Sequence, residues 1–350
     1  MNGSAGRRLW RAARATKAFV WGRKISSAVA LLRLVLAYCL GERGLRLTAA
    51  WAAATQLADI SNPGLLYRVQ QCADWLGLLI GHLLTATAPR QSQGRLIRIV
   101  DATTVLKAGR AAKRQNGLWR VHAAFELPSE RFGHLELTDE HGGERLDRIG
   151  VIKGEIRIGD AGYMQPDGIA EVLARGGDVV VRSGWRNGRW LDEHGKPVSM
   201  INMLQEAKAG LLDVPIWVGR KKAEPLALRL VAVRKPEAAT AEARRRARLQ
   251  ASKSGYQVSR ETLEAAEWVI LITSLRAADY STADILALYR LRWRVELAFK
   301  RLKSLIGLRS PPGSDPRSAK VFILAHLLVA VLLEPWVDVL EDSPRWAHAA

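Results

Sequence analysis

The first quarter of the chain has the apolar spacing of helices. Residues 12–87 are rich in Ala, Leu and Arg. They contain no strand-length run in which apolar and polar residues alternate. The pattern predicts a helix over 47–57, a capped turn over 59–64 and a further helix over 65–84 that carries Arg68. This order is typical of a helix-turn-helix, but it is equally typical of two packed helices joined by a polar turn.

A different pattern, typical of strands, follows a polar linker. Short apolar runs with turn-like flanks predict strands over 178–182 and at four earlier places, and a helix after Asp167. Strands followed by a helix and another strand indicate an α/β or α+β catalytic core. The four earlier strands are predicted at 96–100, 117–125, 134–138 and 155–158.

The strand pattern is interrupted between Ser183 and Glu267, where Trp, Gly and charged residues separate short strand-like pieces from an Ala/Arg-rich helix over 238–252. This stretch is predicted to be an insertion. The core resumes with a strand over 268–275, a long helix over 282–306 that ends before Pro311, and a covering helix over 319–333. The predicted organisation is a helical domain (1–90), a first core part (91–183), an insertion (184–267) and a second core part (268–350).

The net charge of the chain indicates which class of partner it binds. Its 350 residues carry 53 basic and 34 acidic side chains, a net charge of +19, so a polyanion, and DNA first, is expected. No apolar run is expected to reach the roughly 20 residues that span a bilayer. Two cysteines fit a reducing, cytoplasmic compartment. The basic stretch 7–24 lacks a signal-type core, and the first dozen residues are predicted to be a solvated or disordered arm.

Four chemically distinct residues recur on one predicted helical face near the end of the chain. Tyr289, Arg292, Glu296 and Lys303 follow the spacing Y-x2-R-x3-E-x6-K, which places them within roughly 60° of arc. Such a face offers a carboxylate for a metal and two cations for phosphate. An ordinary pairing of Glu296 with a cation four positions away explains part of the same pattern.

Two further carboxylates follow apolar runs that are predicted to be strands. Asp101 comes after 96–100 and Asp160 after 156–159, and strand ends are where sites collect in open α/β sheets. An Asp there is also a common turn former. Together with Glu296 the two would form an oxygen-only triad suited to Mg²⁺ or Mn²⁺. Two such ions are the usual agents of phosphodiester cleavage and transfer.

These motifs resemble those of the bacterial insertion-sequence transposases of the DDE class, in the YREK group of cut-and-paste elements. The resemblance rests on the Tyr289–Lys303 signature, on Asp-Ala-Thr-Thr-Val at 101–105 and on Gly-Asp-Ala-Gly-Tyr at 159–163. It implies a ribonuclease-H-like core with a β-rich insertion, two metal ions, double-stranded DNA ends as substrate and a homodimer in the synapse. By the same resemblance, the metal ligands would be Asp101, Asp160 and Glu296.

The resemblance also assigns contacts with DNA. Tyr289, Arg292 and Lys303 would contact the backbone of the transposon end. Trp268 would accommodate a base flipped during hairpin formation, whereas a Trp that opens a buried strand is more usually part of the core. Arg182 would reach DNA or form a surface ion pair. Ala161 departs from many relatives, which have Arg after the second Asp. Arg68 in the helical domain is the candidate for recognising the terminal inverted repeats. An inactive DNA-binding relative and a host-type nuclease with a similar core are the alternatives.

Overall fold

The computed structural model describes residues 4–22, 24–87, 94–109 and 117–341. The chain begins with five helices, which confirms the helical texture predicted for this region. The first packs Ala12 and Ala13 into the interior, so the expectation of a disordered arm is wrong for this part. The single helix predicted over 65–84 is two helices that meet at Gln71. The five are α1 (Ser4–Ala15), α2 (Ala28–Leu40), α3 (Leu45–Ala54), α4 (Asn62–Gln70) and α5 (Ala73–Thr87).

A nine-stranded mixed sheet forms the centre of the molecule, in the order β3-β2-β1-β4-β5-β9-β8-β7-β6. Strands β1, β4 and β5 run parallel, and their neighbours on both sides run antiparallel. The mixed α/β class is therefore confirmed. The strands are β1 (Ile97–Leu106), β2 (Leu118–Leu127), β3 (Arg131–Asp139), β4 (Ile156–Gly159), β5 (Asp178–Arg182), β6 (Trp190–Leu191), β7 (Leu211–Val218), β8 (Leu226–Arg234) and β9 (Trp268–Thr273).

Helices cover both faces of this sheet, because its strands alternate buried side chains. Ile99 on β1 packs with the N-terminal helices and the C-terminal helices, whereas the next residue, Val100, packs on the opposite face. That opposite face is covered by α6 (Pro166–Ala174) and α7 (Met200–Glu206). Both faces being buried explains the nearly continuous apolar runs of β4 and β5.

The predicted insertion extends the same sheet. Strands β7 and β8 pair along their whole lengths, and β8 pairs with β9. The segment also contains α7, the 17-residue α8 (Glu237–Lys253) and α9 (Arg260–Ala265), so it is mixed rather than β-rich. The domain boundaries stay a prediction, and residues 90–93 of the polar linker expected over 90–95 lie outside the described residues.

The long helix predicted over 282–306 is broken. Helix α10 (Thr282–Arg290) starts with a capping box between Ser281 and Asp284. Helix α11 (Trp293–Ser304) follows after a tight turn in which the amides of Leu291 and Arg292 bond three residues back. The turn places Arg292 at the start of α11, one helical turn before Glu296.

The last helix that the structure describes, α12 (Pro316–Glu341), contacts the N-terminal helices as well as the core. It packs against α2, α4 and α5 as well as α11 and β3. Its stretch Pro316–Glu334 is long and apolar enough to cross a membrane by length and composition, so the expectation that no run reaches that length is wrong. Of this stretch 56% is buried inside the protein, which is typical of a core helix in a soluble protein.

A network of buried charged side chains lies within the sheet, near the amino ends of β1 and β4. Glu155 and Arg157 are fully buried and paired, and Arg98 bonds Glu155 at 3.2 Å and Glu126 at 3.0 Å. Carbonyl oxygens accept the remaining Arg157 hydrogens, among them that of Ile149 at 2.9 Å. Full pairing is what makes four buried charges tolerable in this position.

Candidate active site

Asp101 lies in the middle of β1, not at its end as predicted. The strand continues to Leu106 because the β-branched residues after Ala102 keep pairing with β2. The Asp101 carboxylate is 16% exposed, and its Oδ1 accepts a hydrogen bond from the Ala102 amide at 2.8 Å. Burial, with a smaller contribution from the nearby charge of Asp160, raises the pKa of Asp101 to about 6, against the lowering effects of that amide and of Arg292.

Asp160 follows β4 directly, on the strand next to β1. Ile99 pairs with Ile158 in parallel register, so two residues further on Asp101 and Asp160 are level, on strands roughly 5 Å apart. Asp160 Oδ1 accepts from the Gly162 amide at 2.8 Å and caps a short turn, Ala161–Tyr163. The Ala161 carbonyl in this turn accepts from Asn187 at 3.2 Å.

A fourth carboxylate, Glu144, lies beside Asp160, and the sequence carried no spacing signal for it. A Cβ on Gly162 would come within 2.8 Å of Glu144 Oε2 and 3.1 Å of Asp160 Oδ1. Burial raises the pKa of Glu144, and Asp160 raises it as well, whereas Arg120, 3.5 Å away, lowers it. The pKa of the buried Tyr163 is also raised, first by burial and then by Asp101, Glu144 and Asp160. Negative charge is therefore concentrated at this edge of the sheet.

Glu296 projects from α11 above the same face of the sheet. Its side chain is 55% exposed and is ion-paired with Arg292. Arg292 Nη1 also lies 3.7 Å from Asp101 Oδ2, so one guanidinium sits between the two carboxylates. The pairing that the sequence left as an alternative is thus present, and it lies in the candidate site. An open cleft of about 540 Å³ is lined by Asp101, Glu296, Lys300 and Lys303.

The carboxylates are not assembled as a ready metal centre. Among the described residues, no three His, Cys, Asp or Glu side chains are grouped closely enough to hold an ion, and Glu296 is ion-paired with Arg292. The donor chemistry nevertheless fits a hard divalent cation. Asp101 and Asp160 are adjacent oxygen donors, the charge of Asp160 raises the pKa of Asp101, and Glu296 is exposed in the cleft beside Asp101.

Tyr289 and Arg182 meet next to this cleft. The Tyr289 hydroxyl is buried and makes no hydrogen bond of ordinary geometry with the described residues. Burial raises its pKa, while the neighbouring Arg292 and Arg182 lower it and Asp160 raises it. Arg182, at the end of β5, therefore lies close enough to the candidate site to interact electrostatically with Tyr289.

Two of the predicted DNA contacts lie elsewhere. Trp268 opens β9 with 3% of its surface exposed and packs in the core on the face opposite Ile99 and α11. The Arg234 guanidinium stacks on its ring at 5.1 Å. Arg68 lies on α4, where it donates to the Trp21 carbonyl at 3.4 Å, and so belongs to the N-terminal helices and not to the cleft.

Comparison with known proteins identifies the family to which the chain belongs. Residues 92–332 match the family model described as a transposase DDE domain. The chain is 36% identical over 331 residues to "Transposase for insertion sequence element IS421" of Escherichia coli. It is also 36% identical over 330 residues to "Putative transposase InsL for insertion sequence element IS186A" of Escherichia coli strain K12. Each alignment covers 92% of this chain and 88% of the relative. The chain therefore belongs to the DDE-domain family of insertion-sequence transposases.

Proposed function

We propose that this transposase binds the terminal inverted repeats of its own insertion sequence and catalyses metal-dependent hydrolysis and transfer of DNA strands. The observation that carries the proposal is the level placement of Asp101 and Asp160 on adjacent parallel strands, with Glu296 in the cleft above them. The YREK assignment and the cut-and-paste route, with hairpin ends, are part of the proposal.

Three carboxylates have assigned roles in the chemistry. Asp101, Asp160 and Glu296 would hold two Mg²⁺ ions, or Mn²⁺, in the cleft. When bound, these ions supply an activated water or 3′-hydroxyl and stabilise the leaving oxygen. Glu144 adds negative potential beside Asp160 and strengthens the attraction for cations at this edge.

Arg292 has two successive partners in this proposal. In the described structure it neutralises Glu296 and Asp101. With those carboxylates holding cations, its guanidinium would be available for the substrate phosphate, for which its bidentate geometry is suited.

The surrounding residues position DNA. Lys303 lines the same cleft and would contact the backbone of the transposon end, as would Tyr289 and Arg182. Arg68 and the N-terminal helices would bind the repeats. Pairing of two ends requires a homodimer. The excess of basic residues supplies the nonspecific attraction to DNA expected of a cytoplasmic, nucleoid-associated enzyme.

The test is cleavage of a labelled duplex that carries the element's own ends, with Mg²⁺ or with chelator. Wild type is compared with Glu296→Gln and with Glu171→Gln as a matched control, because Glu171 also forms an ion pair with an Arg four positions away, at 2.6 Å. Wild type and control should cut at the end only with Mg²⁺, and Glu296→Gln should bind without cutting.

Other outcomes separate the alternatives. Cutting by Glu296→Gln removes Glu296 from the site. End binding without cutting by any variant favours an inactive DNA-binding relative. Cutting at many positions without strand joining favours a nuclease.

A further inference from the structure

A second basic cleft lies outside the candidate active site, between α8 and the ends of β5 and β9. Its volume is about 480 Å³, and its charged lining consists of Arg182, Lys235, Arg246 and Glu242. Three cations face one carboxylate, so the cleft has an excess of positive charge. Glu242 is also shared with Arg245, which pairs with it at 2.7 Å from outside the cleft.

Helix α8 has little packing to account for its length. It spans 17 residues, and Ala251 is its only buried residue. A helix that is polar on all sides is held by its own ion pairs and contributes a surface rather than a core. Arg244, ion-paired with Glu267 just before β9, fixes α8 against the sheet.

The cations of the cleft are held close together. Lys235 Nζ donates to the Ala266 carbonyl at 2.6 Å, and this contact fixes its position. Burial lowers the pKa of Lys235, and the charge of Arg182 lowers it further. Two cations that repel each other across a cleft gain free energy when an anion binds between them.

The cleft is connected to the candidate active site. Arg182 lines the cleft and also lies beside the Tyr289 hydroxyl, which is in the field of Asp160 and Arg292. Positive groups therefore continue from Arg292 through Arg182 to Lys235 and Arg246. A row of cations leading away from a phosphodiester-cleaving site matches a polymeric phosphate backbone better than a single small anion.

The position of the cleft indicates which DNA it would bind. The N-terminal helices pack on the β3 side of the sheet, where α5 and α12 contact β3, whereas α8 follows β8 on the other side of β1 and β4. DNA bound by the N-terminal helices, as proposed, would therefore meet the carboxylates before the basic cleft.

We infer that this cleft binds the sugar–phosphate backbone of the host DNA that flanks the element, on the far side of the scissile phosphate. The inference rests on the proposed function and names a further part of its substrate. The cleft would hold the flank in place while the end is cut.

The experiment measures binding by fluorescence anisotropy in chelator, so that no cleavage is needed. Three labelled duplexes are compared: an element end that stops at its boundary, the same end with one helical turn of flank, and one extended equally into the element. The Arg246→Gln variant is compared with Arg245→Gln, a control on the same helix that shares Glu242 but does not line the cleft.

Wild type should bind the flanked duplex more tightly than the other two. Arg246→Gln should reduce the slope of log affinity against log salt by about 1 on the flanked duplex alone, as expected for one lost phosphate contact. Lys235→Gln should act in the same way and Lys235→Arg should restore binding, while Arg245→Gln should leave binding unchanged.

Equal wild-type affinity for flanked and boundary duplexes would overturn the inference, as would tighter binding of the inward extension. An equal loss in Arg245→Gln and Arg246→Gln would do so too, since it would show general charge attraction. Failure of Mg²⁺-dependent cleavage with flank-dependent binding intact would count against the proposed function and not against this cleft.

Discussion

An Asp101→Asn substitution should stabilise the protein while removing its proposed chemistry. Asp101 is an ionised, mostly buried carboxylate whose pKa is raised by burial and by Asp160. Asparagine has nearly the same shape, keeps an oxygen for the Ala102 amide and carries no charge. The substitution removes the cost of ionising a buried group and leaves the strand pairing of β1 unchanged.

The magnitude follows from the size of the pKa shift. The pKa rises from 3.8 to about 6, and at roughly 1.4 kcal/mol per pH unit this corresponds to about 3 kcal/mol. This shift already includes the lowering effect of Arg292, whose Nη1 lies 3.7 Å from Asp101 Oδ2. The expected net gain is therefore about 3 kcal/mol at pH 8, or roughly 4 °C in melting temperature for a chain of this size.

The sign depends on pH. Because the folded-state pKa is the higher one, the protonated form favours the folded state, and wild type loses stability as pH rises through about 6. Variant and wild type should be equally stable below the unfolded pKa of 3.8, where Asp101 is protonated and as uncharged as Asn. The difference should open between 3.8 and about 6 and stay constant above that.

Thermal unfolding of both proteins in chelator from pH 4 to pH 8 measures this difference. Adding Mn²⁺ should then raise the melting temperature of wild type and have little effect on the variant. Parallel pH curves for the two proteins, or a less stable variant at pH 8, would refute the assignment of the raised pKa to Asp101.

Three further substitutions test other parts of the structure. Arg157→Leu leaves Glu155 buried with one partner fewer and should reduce the free energy of unfolding in urea by about 3–5 kcal/mol. Tyr289→Phe removes a buried hydroxyl without an ordinary hydrogen bond and should raise that free energy by up to about 1 kcal/mol, while weakening end binding in a gel-shift assay. Arg292→Gln frees Glu296 and should tighten Mn²⁺ binding in calorimetry, yet lower the rate of end cleavage.

Local sequence patterns predicted the elements whose signal lies within a few residues. Strand β5 has the predicted bounds, Asp178–Arg182, and β4 differs by one residue at each end. Strand β1 was predicted to stop before Asp101 because Asp is rare inside strands. It continues because pairing with β2, which extends from Ile97 to Leu106, outweighs one unfavourable residue.

Long-range pairing and charge placement were not predictable in the same way. No Gly or Pro lies near the break at Leu291, so the apolar spacing of 282–306 predicted one continuous helix. The pairing of β8 with β9 joins the insertion to the core, and periodicity carries no information about such partners. Glu144 reaches Asp160 only through the folded path of the loop after β3. The three proposed metal ligands could be identified from the sequence because each lies in a short local motif.

The packing of α12 affects the order in which the protein can fold during synthesis. This helix lies near the end of the chain, yet it covers apolar surfaces of α2 and α5 near the beginning. Those surfaces stay uncovered until the ribosome has released residues beyond 316. An isolated fragment of the N-terminal helices should therefore aggregate or bind DNA poorly, and a transposase interrupted during translation would lack a complete core. The end recognition proposed for the N-terminal helices would then arise only when the proposed active site is also complete.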